Sequence, residues 1–385
     1  MGLILEGLVL FLCKPKRTKL VSHILIIGGG VIGMMTALQL ADAGQQVTLV
    51  ERGQCGQEAS WAGGGIVSPL YPWRYGEPVS RLSRWSEGVY PTLALRLLEE
   101  TGIDPEYRQK GLLYLNVEDD EQALAWARQM GKPLERVEAE VVQQKEPAAL
   151  ASGGSALWMP TLGSIRNPRL GQALRARLAA MPSVTLVEQC QVTGFLQRQG
   201  KVVGVVTGSG ELHAERVVVC GGAWAAQLLE GLGIQLPVRP VKGQMIAYQT
   251  PPGLVQRVVL KDGRYVIPRN DGLLLVGSTL EEAGFDKTTD QDALASLRQS
   301  AENIIPALAR YPVAYHWAGL RPGSPDGIPF IGALPEFPNV FVNAGHYRNG
   351  LVLAPASTHL LVDQLLDREP LIDPAPYLPV ALCRG

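Results

Sequence analysis

The stretch HILIIGGGVIGMMTALQLADAGQQVTLVE, residues 23–51, decides the fold. His23 to Ile27 is a short unbroken apolar run, the mark of a strand buried on both faces of a parallel sheet. Gly28-x-Gly30-x-x-Gly33 follows at once, Met34 to Ala43 reads as a helix closed by Gly44, and Gln46 to Val50 reads as a second strand ending on Glu51. A strand, a glycine turn, a helix and an acid at the end of the next strand are the parts of a dinucleotide site. The turn lets backbone approach a pyrophosphate at a helix N-terminus, and the carboxylate accepts ribose hydroxyls. Glu rather than Arg at position 51 disfavours a 2′-phosphate.

Outside that unit the chain is long enough, at 385 residues, for two or three packed units. Hydrophobic residues make up 46% and charged residues 18%, which excludes a disordered chain. With 35 Lys plus Arg against 36 Asp plus Glu and no long run of one sign, neither nucleic acid nor an anionic membrane is an expected partner. The five cysteines (Cys13, Cys55, Cys190, Cys220, Cys383) form no C-x-x-C and the five histidines show no ligand spacing, so no metal is expected and a reducing cytoplasm fits. No G-x-S-x-G elbow occurs, which removes serine hydrolysis of that type. Gly2 to Leu12 is apolar apart from Glu6, and Lys14, Lys16, Arg17 and Lys19 follow it. That order is the reverse of a secretory signal, and the run is about half a membrane span. Residues 1–21 therefore read as a packing arm or a segment upstream of the domain, ahead of a peripheral anchor.

Further along, Val79–Glu100, Asp119–Met130, Asn167–Met181, Gln291–Leu308 and Gly350–Leu366 read as helices. Leu112–Val117, Val184–Val187, Val192–Gln197, Val202–Thr207, Arg216–Cys220, Val238–Tyr248, Arg264–Ile267 and Leu273–Val276 read as strands. No linker marks a boundary, so the domains interleave.

Ala59-Ser60-Trp61-Ala62-Gly63-Gly64-Gly65-Ile66 sets three glycines among small residues, where bare backbone can lie against a flat ring. With Val217–Trp224 and with Ala344-Gly345-His346-Tyr347-Arg348-Asn349-Gly350-Leu351-Val352-Leu353-Ala354-Pro355, it resembles the flavin-dependent amine oxidases of the D-amino-acid oxidase superfamily. Within that superfamily the sequence is similar to the glycine-oxidising branch of thiamin biosynthesis over about residues 22–370. The resemblance implies a Rossmann-type FAD-binding domain (22–80, 161–235 and 321–370) interleaved with an antiparallel-sheet substrate domain (81–160 and 236–320), an N-terminal extension at 1–21 and a C-terminal tail at 371–385. It also implies that FAD is held by Gly28, Gly30, Val31, Ile32, Gly33, Glu51, Arg52, Ala59, Ser60, Gly64, Gly65, Ile66, Val192, Gly222, His346, Tyr347, Arg348, Asn349, Gly350, Leu351 and Val352. Ile66 departs from relatives that carry Met there, which bears on pocket size. In the sarcosine-oxidase branch a Cys of the C-terminal segment bonds the flavin, and Gly319 to Ile331 has none, so FAD is expected to be non-covalent.

The substrate residues implied are Arg321 in Trp317-Ala318-Gly319-Leu320-Arg321-Pro322-Gly323, which holds the substrate carboxylate, Arg348 beside it, and Tyr265 in Arg264-Tyr265-Val266-Ile267-Pro268. A planar guanidinium grips a carboxylate by two bonds. The α-carbon can then give a hydride from the neutral amine form with no protein base. Expected substrates are glycine, sarcosine and small D-amino acids, with O2 reduced to H2O2 and the imine hydrolysed to glyoxylate and ammonia or handed to thiazole synthase. A cytoplasmic homo-oligomer, a tetramer by resemblance, with no stable membrane insertion completes the expectation. Two other readings stay open: a dehydrogenase passing electrons to a membrane quinone, and a non-catalytic dinucleotide-binding regulator.

Overall fold

Four consecutive apolar residues after His23 make β1 (His23–Ile27) a central strand, and a computed structural model, which describes residues 23–150 and 155–379, pairs it on both sides. β2 (Gln46–Val50) runs parallel on one flank and Arg216–Val219 parallel on the other. Val184–Val187 and Phe337–Ala344 extend the parallel sheet outward, and Phe330–Leu334 closes one edge antiparallel, giving six strands. Helix α1 (Val31–Asp42) starts three residues earlier than the sequence predicts, because Gly30 in extended conformation already ends the turn. α1 packs with the helices Glu77–Thr101, Asn167–Ala179 and Gly350–Leu365 on one face of the sheet, around Met34, Leu38, Tyr90, Leu97, Leu174 and Leu361. The other face is covered by the three-stranded meander Val192–Arg198, Lys201–Thr207 and Gly210–His213, where Val192 joins the core with Ile27 and Val50.

The second layer system is an eight-stranded sheet. Its two longest strands, Arg239–Gln249 and Val313–Gly323, pair antiparallel along their length, and Leu273–Gly277, Arg264–Pro268 and Val258–Lys261 follow in antiparallel order. Val258–Lys261 then meets Leu112–Leu115 in parallel, and Ala156–Met159 and Glu135–Val137 finish the sheet. The helix Gln291–Ile304 covers one face around Ile246, Leu297 and Ile304. It stops short of the predicted Leu308 because Pro306 has no N–H to continue the ladder, and a tighter helical turn takes over.

Three expected boundaries fall elsewhere. The helix Glu77–Thr101 packs on the parallel-sheet half through Leu82, Tyr90 and Leu97, so the crossing into the second sheet comes after residue 101 rather than at 80. The strand carrying Arg321 belongs to the eight-stranded sheet through Gly323, so that junction follows 323 rather than 320. Ile372 and Tyr377 are buried against the first helix layer, and the Tyr377 hydroxyl donates to the Pro78 carbonyl at 2.8 Å, so 371–379 is docked structure rather than a tail. Residues 1–21, on which the arm and anchor readings fall, lie outside the described residues. Among the described residues no helix is long and apolar enough to cross a membrane.

Candidate active site

The two halves meet at a cleft of about 1240 Å³, measured to its open mouth. The glycine turn forms one end. A Cβ on Gly28, whose φ is +107°, would overlap the Cys220 carbonyl, and one on Gly33 would overlap the Gly28 carbonyl. Both positions need bare backbone to let β1 pass directly into α1. Ser60 accepts the Val31 N–H at 2.8 Å, tying the loop 59–66 across the helix start. Glu51 accepts Gly29 N–H at 2.7 Å and Gly53 N–H at 2.9 Å, one on each oxygen, which leaves a lone pair on each for ribose hydroxyls.

Loop 59–66 forms the wall between the halves. The Trp317 indole donates to the Ala62 carbonyl at 3.1 Å, and the Arg269 guanidinium donates to the Gly64 carbonyl at 2.8 Å. Gly65, at φ +81°, lies against the Ile165 carbonyl, and a Cβ on Gly64 would press into Ile267 and Tyr265. Opposite, His346 to Asn349 make a tight turn into the helix Gly350–Leu365, whose first residues face the cleft. The buried Ser357 hydroxyl donates to Asn343 Oδ1 at 2.7 Å, so His346 Nε2 is the donor in its 2.7 Å bond to Ser357. Burial lowers the His346 pKa to about 3, and the ring is a neutral structural donor.

At the far end stands Arg321, part-buried and reached by the register of two strands. It donates to Ser278 Oγ at 2.7 Å and to the Lys242 carbonyl at 3.2 Å. Burial, with Arg348 as a like charge, lowers its pKa from the ordinary value. Gly243 lies directly beneath, where any Cβ would overlap the guanidinium. Tyr265 is 7% exposed and its hydroxyl has only a long 3.8 Å donation to the Met245 sulfur. Arg348 is exposed at the cleft rim with no ion-pair partner among the described residues.

Of the residues singled out in the sequence, Gly30, Val31, Ile32, Ala59, Ser60, Gly64, Gly65, Ile66, Tyr265, Gly222, Arg321 and His346 to Val352 line the cleft. Gly28, Gly33 and Glu51 stand behind the lining and shape its turn. Arg52 is not at the wall: it pairs with Glu58 at 3.0 Å and stacks over Trp224. Val192 opens the meander with its side chain in the core, and the contact expected of it is one of backbone. The sequence reading missed Asn167, Gly243, Met245, Ser278 and Asn343. Strand alternation places Gly243 and Met245 on one face. Ser278 gives no local signal.

The lining fits a flavin dinucleotide. Asn349 Nδ2 and Asn167 Oδ1, on two residues lining the cleft, are buried with no hydrogen-bond partner, a donor and an acceptor left unsatisfied, and the glycine turn leaves backbone open for a pyrophosphate. Among the described residues that line the cleft none is Asp, Glu or Lys. Cys220 also lines it, and burial pushes its thiol up to about 12.

Comparison with known proteins agrees with this geometry. The family model described as FAD dependent oxidoreductase matches residues 23–364. The chain is 52% identical over 358 residues to a protein named glycine oxidase from Pseudomonas aeruginosa, covering 93% of this chain and 98% of that one. It is 32% identical to the bifunctional protein ThiO/ThiG of Trichormus variabilis, covering 90% of this chain and 53% of that protein. The crystal structure of glycine oxidase from Geobacillus kaustophilus superposes with a TM-score of 0.87 at 31% identity, covering 94% of this chain and 99% of that one.

Proposed function

The chain belongs to the family of FAD-dependent oxidoreductases, and from that premise we propose that it is an amino-acid oxidase acting on glycine, with sarcosine and small D-amino acids as further substrates. The observation that carries the reading is Arg321, an uncompensated guanidinium held at the end of the flavin cleft by Ser278 and the Lys242 carbonyl. Those two bonds fix the fork's plane and leave its remaining N–H groups for a carboxylate. Arg348 adds positive potential at the rim, and the Tyr265 hydroxyl is free to bond the bound acid. FAD, held by the glycine turn, Glu51 and loop 59–66, would supply the two-electron acceptor for a hydride from the substrate α-carbon, with O2 as the final oxidant and H2O2 as its product. The lining supplies no carboxylate or lysine, and His346 is neutral and engaged, so this chain's part is to orient the neutral amine rather than to remove a proton. The imine hydrolyses to glyoxylate and ammonia, or passes to a thiazole synthase; the ThiO/ThiG relatives, in which a chain like this fills about half the protein, support that second fate.

The proposal includes a cytoplasmic homotetramer with dissociable FAD. Cys220 is the one cysteine among the described residues at the cleft, and a thiol with its pKa near 12 is a poor nucleophile toward the flavin ring. Acid precipitation is expected to release the yellow colour into the supernatant; colour retained in the pellet would overturn this. Glu51→Ala is expected to weaken FAD binding by about 1 to 3 kcal/mol, measured by titrating apoprotein. Unchanged affinity would remove Glu51 from the ribose site. For the activity itself, glycine is expected to bleach the flavin anaerobically and, in air, to consume O2 with peroxide formed. Bleaching without O2 uptake would favour the quinone-linked dehydrogenase, and no bleaching would favour a silent binding protein.

A further inference from the structure

A second cavity of about 740 Å³ shares no lining residue with the cleft. Its lining includes Arg108, Lys110, Arg257 and Arg269, together with Ser164 and Asn270, and among the described residues no Asp or Glu lines it. Arg269 is 7% exposed. One N–H of its fork goes to the Gly64 carbonyl, and among the described residues no carboxylate lies within ion-pair reach. The neighbouring acids, Glu106 and Asp271, are engaged by Arg166 at 3.1 and 2.8 Å. Arg257 donates one terminal N–H to the Lys145 carbonyl, while its Nε–H is buried with no partner. Arg108 is paired with Asp104 at 2.9 Å, and Lys110 carries no ion pair.

A buried guanidinium and a buried orphan N–H are each costly unless an acceptor completes them. Burial and the like charge of Arg166 lower the Arg269 pKa to about 10. We propose that this cavity is a binding site for a small oxyanion, a phosphate group or a carboxylate, held by Arg269 and Arg257 inside and Lys110 at the mouth, with Ser164 and Asn270 as neutral partners. The Arg forks supply paired donors of the kind that oxyanion oxygens take up, and the buried carboxylate behind the lining, Glu146, is taken up by the Gln256 and Arg257 backbone N–H groups at 2.8 and 2.9 Å. The site adjoins the flavin loop through the Arg269 to Gly64 hydrogen bond and through the backbone pairing of Ile66 with Ser164.

The test is titration of the full-length holoenzyme with inorganic phosphate, followed by calorimetry and by melting temperature, against sodium chloride at matched ionic strength. Binding does not involve glycine turnover, so its outcome is separable from that of the proposed activity. Saturable binding absent in chloride is expected, weakened at least 10-fold by Lys110→Glu and abolished by Arg269→Met. Lys110→Glu is expected to keep wild-type FAD content, which separates a lost ligand from a lost fold. A parallel titration with acetate and glyoxylate in the Arg321→Met holoenzyme, counting only binding lost in Arg269→Met, assigns the oxyanion: tighter binding than phosphate makes the ligand a carboxylate, weaker binding makes it a phosphate. Stabilisation no greater than that given by chloride, or saturable binding unchanged in both variants, would overturn the proposal.

Discussion

Replacing Arg321 by Met is expected to lower kcat/KM for glycine by roughly 30-fold or more, the equivalent of about 2 to 5 kcal/mol for removing one partner of a desolvated charge pair. Glycine has no remote contacts to compensate. The flavin spectrum should stay nearly unchanged, because Arg321 stands on the eight-stranded sheet and not on the turn or loops that cradle the dinucleotide. Arg321→Lys should recover only part of the loss, since an ammonium cannot donate to Ser278, the Lys242 carbonyl and a carboxylate in one plane. Arg348→Ala should be milder in KM, because that side chain is exposed and solvent screens its charge. An amine without a carboxylate should be indifferent to Arg321→Met. Near-wild-type kcat/KM for glycine in the mutant would move the clamp elsewhere.

Gly243→Val is expected to reproduce most of that loss without touching a charged residue. The Cβ it introduces would overlap the guanidinium, while strand pairing is retained, because Gly243 sits opposite Gly319 inside a long ladder and Val suits a strand. At least a 10-fold fall in kcat/KM, carried mainly by KM, should follow if displacement of the fork costs about 1.4 kcal/mol or more. The decisive measurement is the double mutant with Arg321→Met. Two substitutions acting through one side chain should be far from additive, so the second should add little to the first. Additive losses would mean that Gly243 serves something other than Arg321.

The parallel-sheet half was legible because its information is local. β1 and β2 have the predicted bounds, since an unbroken apolar run between a glycine turn and an acid leaves little choice. Val313–Gly323 escaped as a whole strand because much of it is exposed or half-buried on both faces, so neither alternation nor a continuous apolar run marks it. Arg321 was found through its flanking motif, and its two protein partners were not. Ser278 and Lys242 come to it across strands 43 and 79 positions away in sequence, a juxtaposition made only by register. Asn167 illustrates a different failure. Its place before Pro168 read as a helix start, which it is, yet its side chain also reaches the cleft. Arg52 and Val192 show what a motif leaves open: the Arg52 side chain pairs with Glu58 and the Val192 side chain is core, so any part either plays toward the dinucleotide falls to backbone.

The state of Cys220 bears on how long such a catalyst survives its own product. Peroxide attacks thiolate, not thiol, and the first oxidised form is polar and larger than the group it replaces. Burial raises the Cys220 pKa well above the unshifted value of 9.0, so at pH 7 its thiolate is much scarcer than that of an ordinary cysteine. A sulfur set in the wall of the cleft is thereby held back from the ionisation step that oxidation by the proposed product requires. Oxidative lifetime is in this way tied to packing: loosening the apolar cover around Cys220 would shorten the number of turnovers before inactivation, even where the rate of each turnover were unaffected.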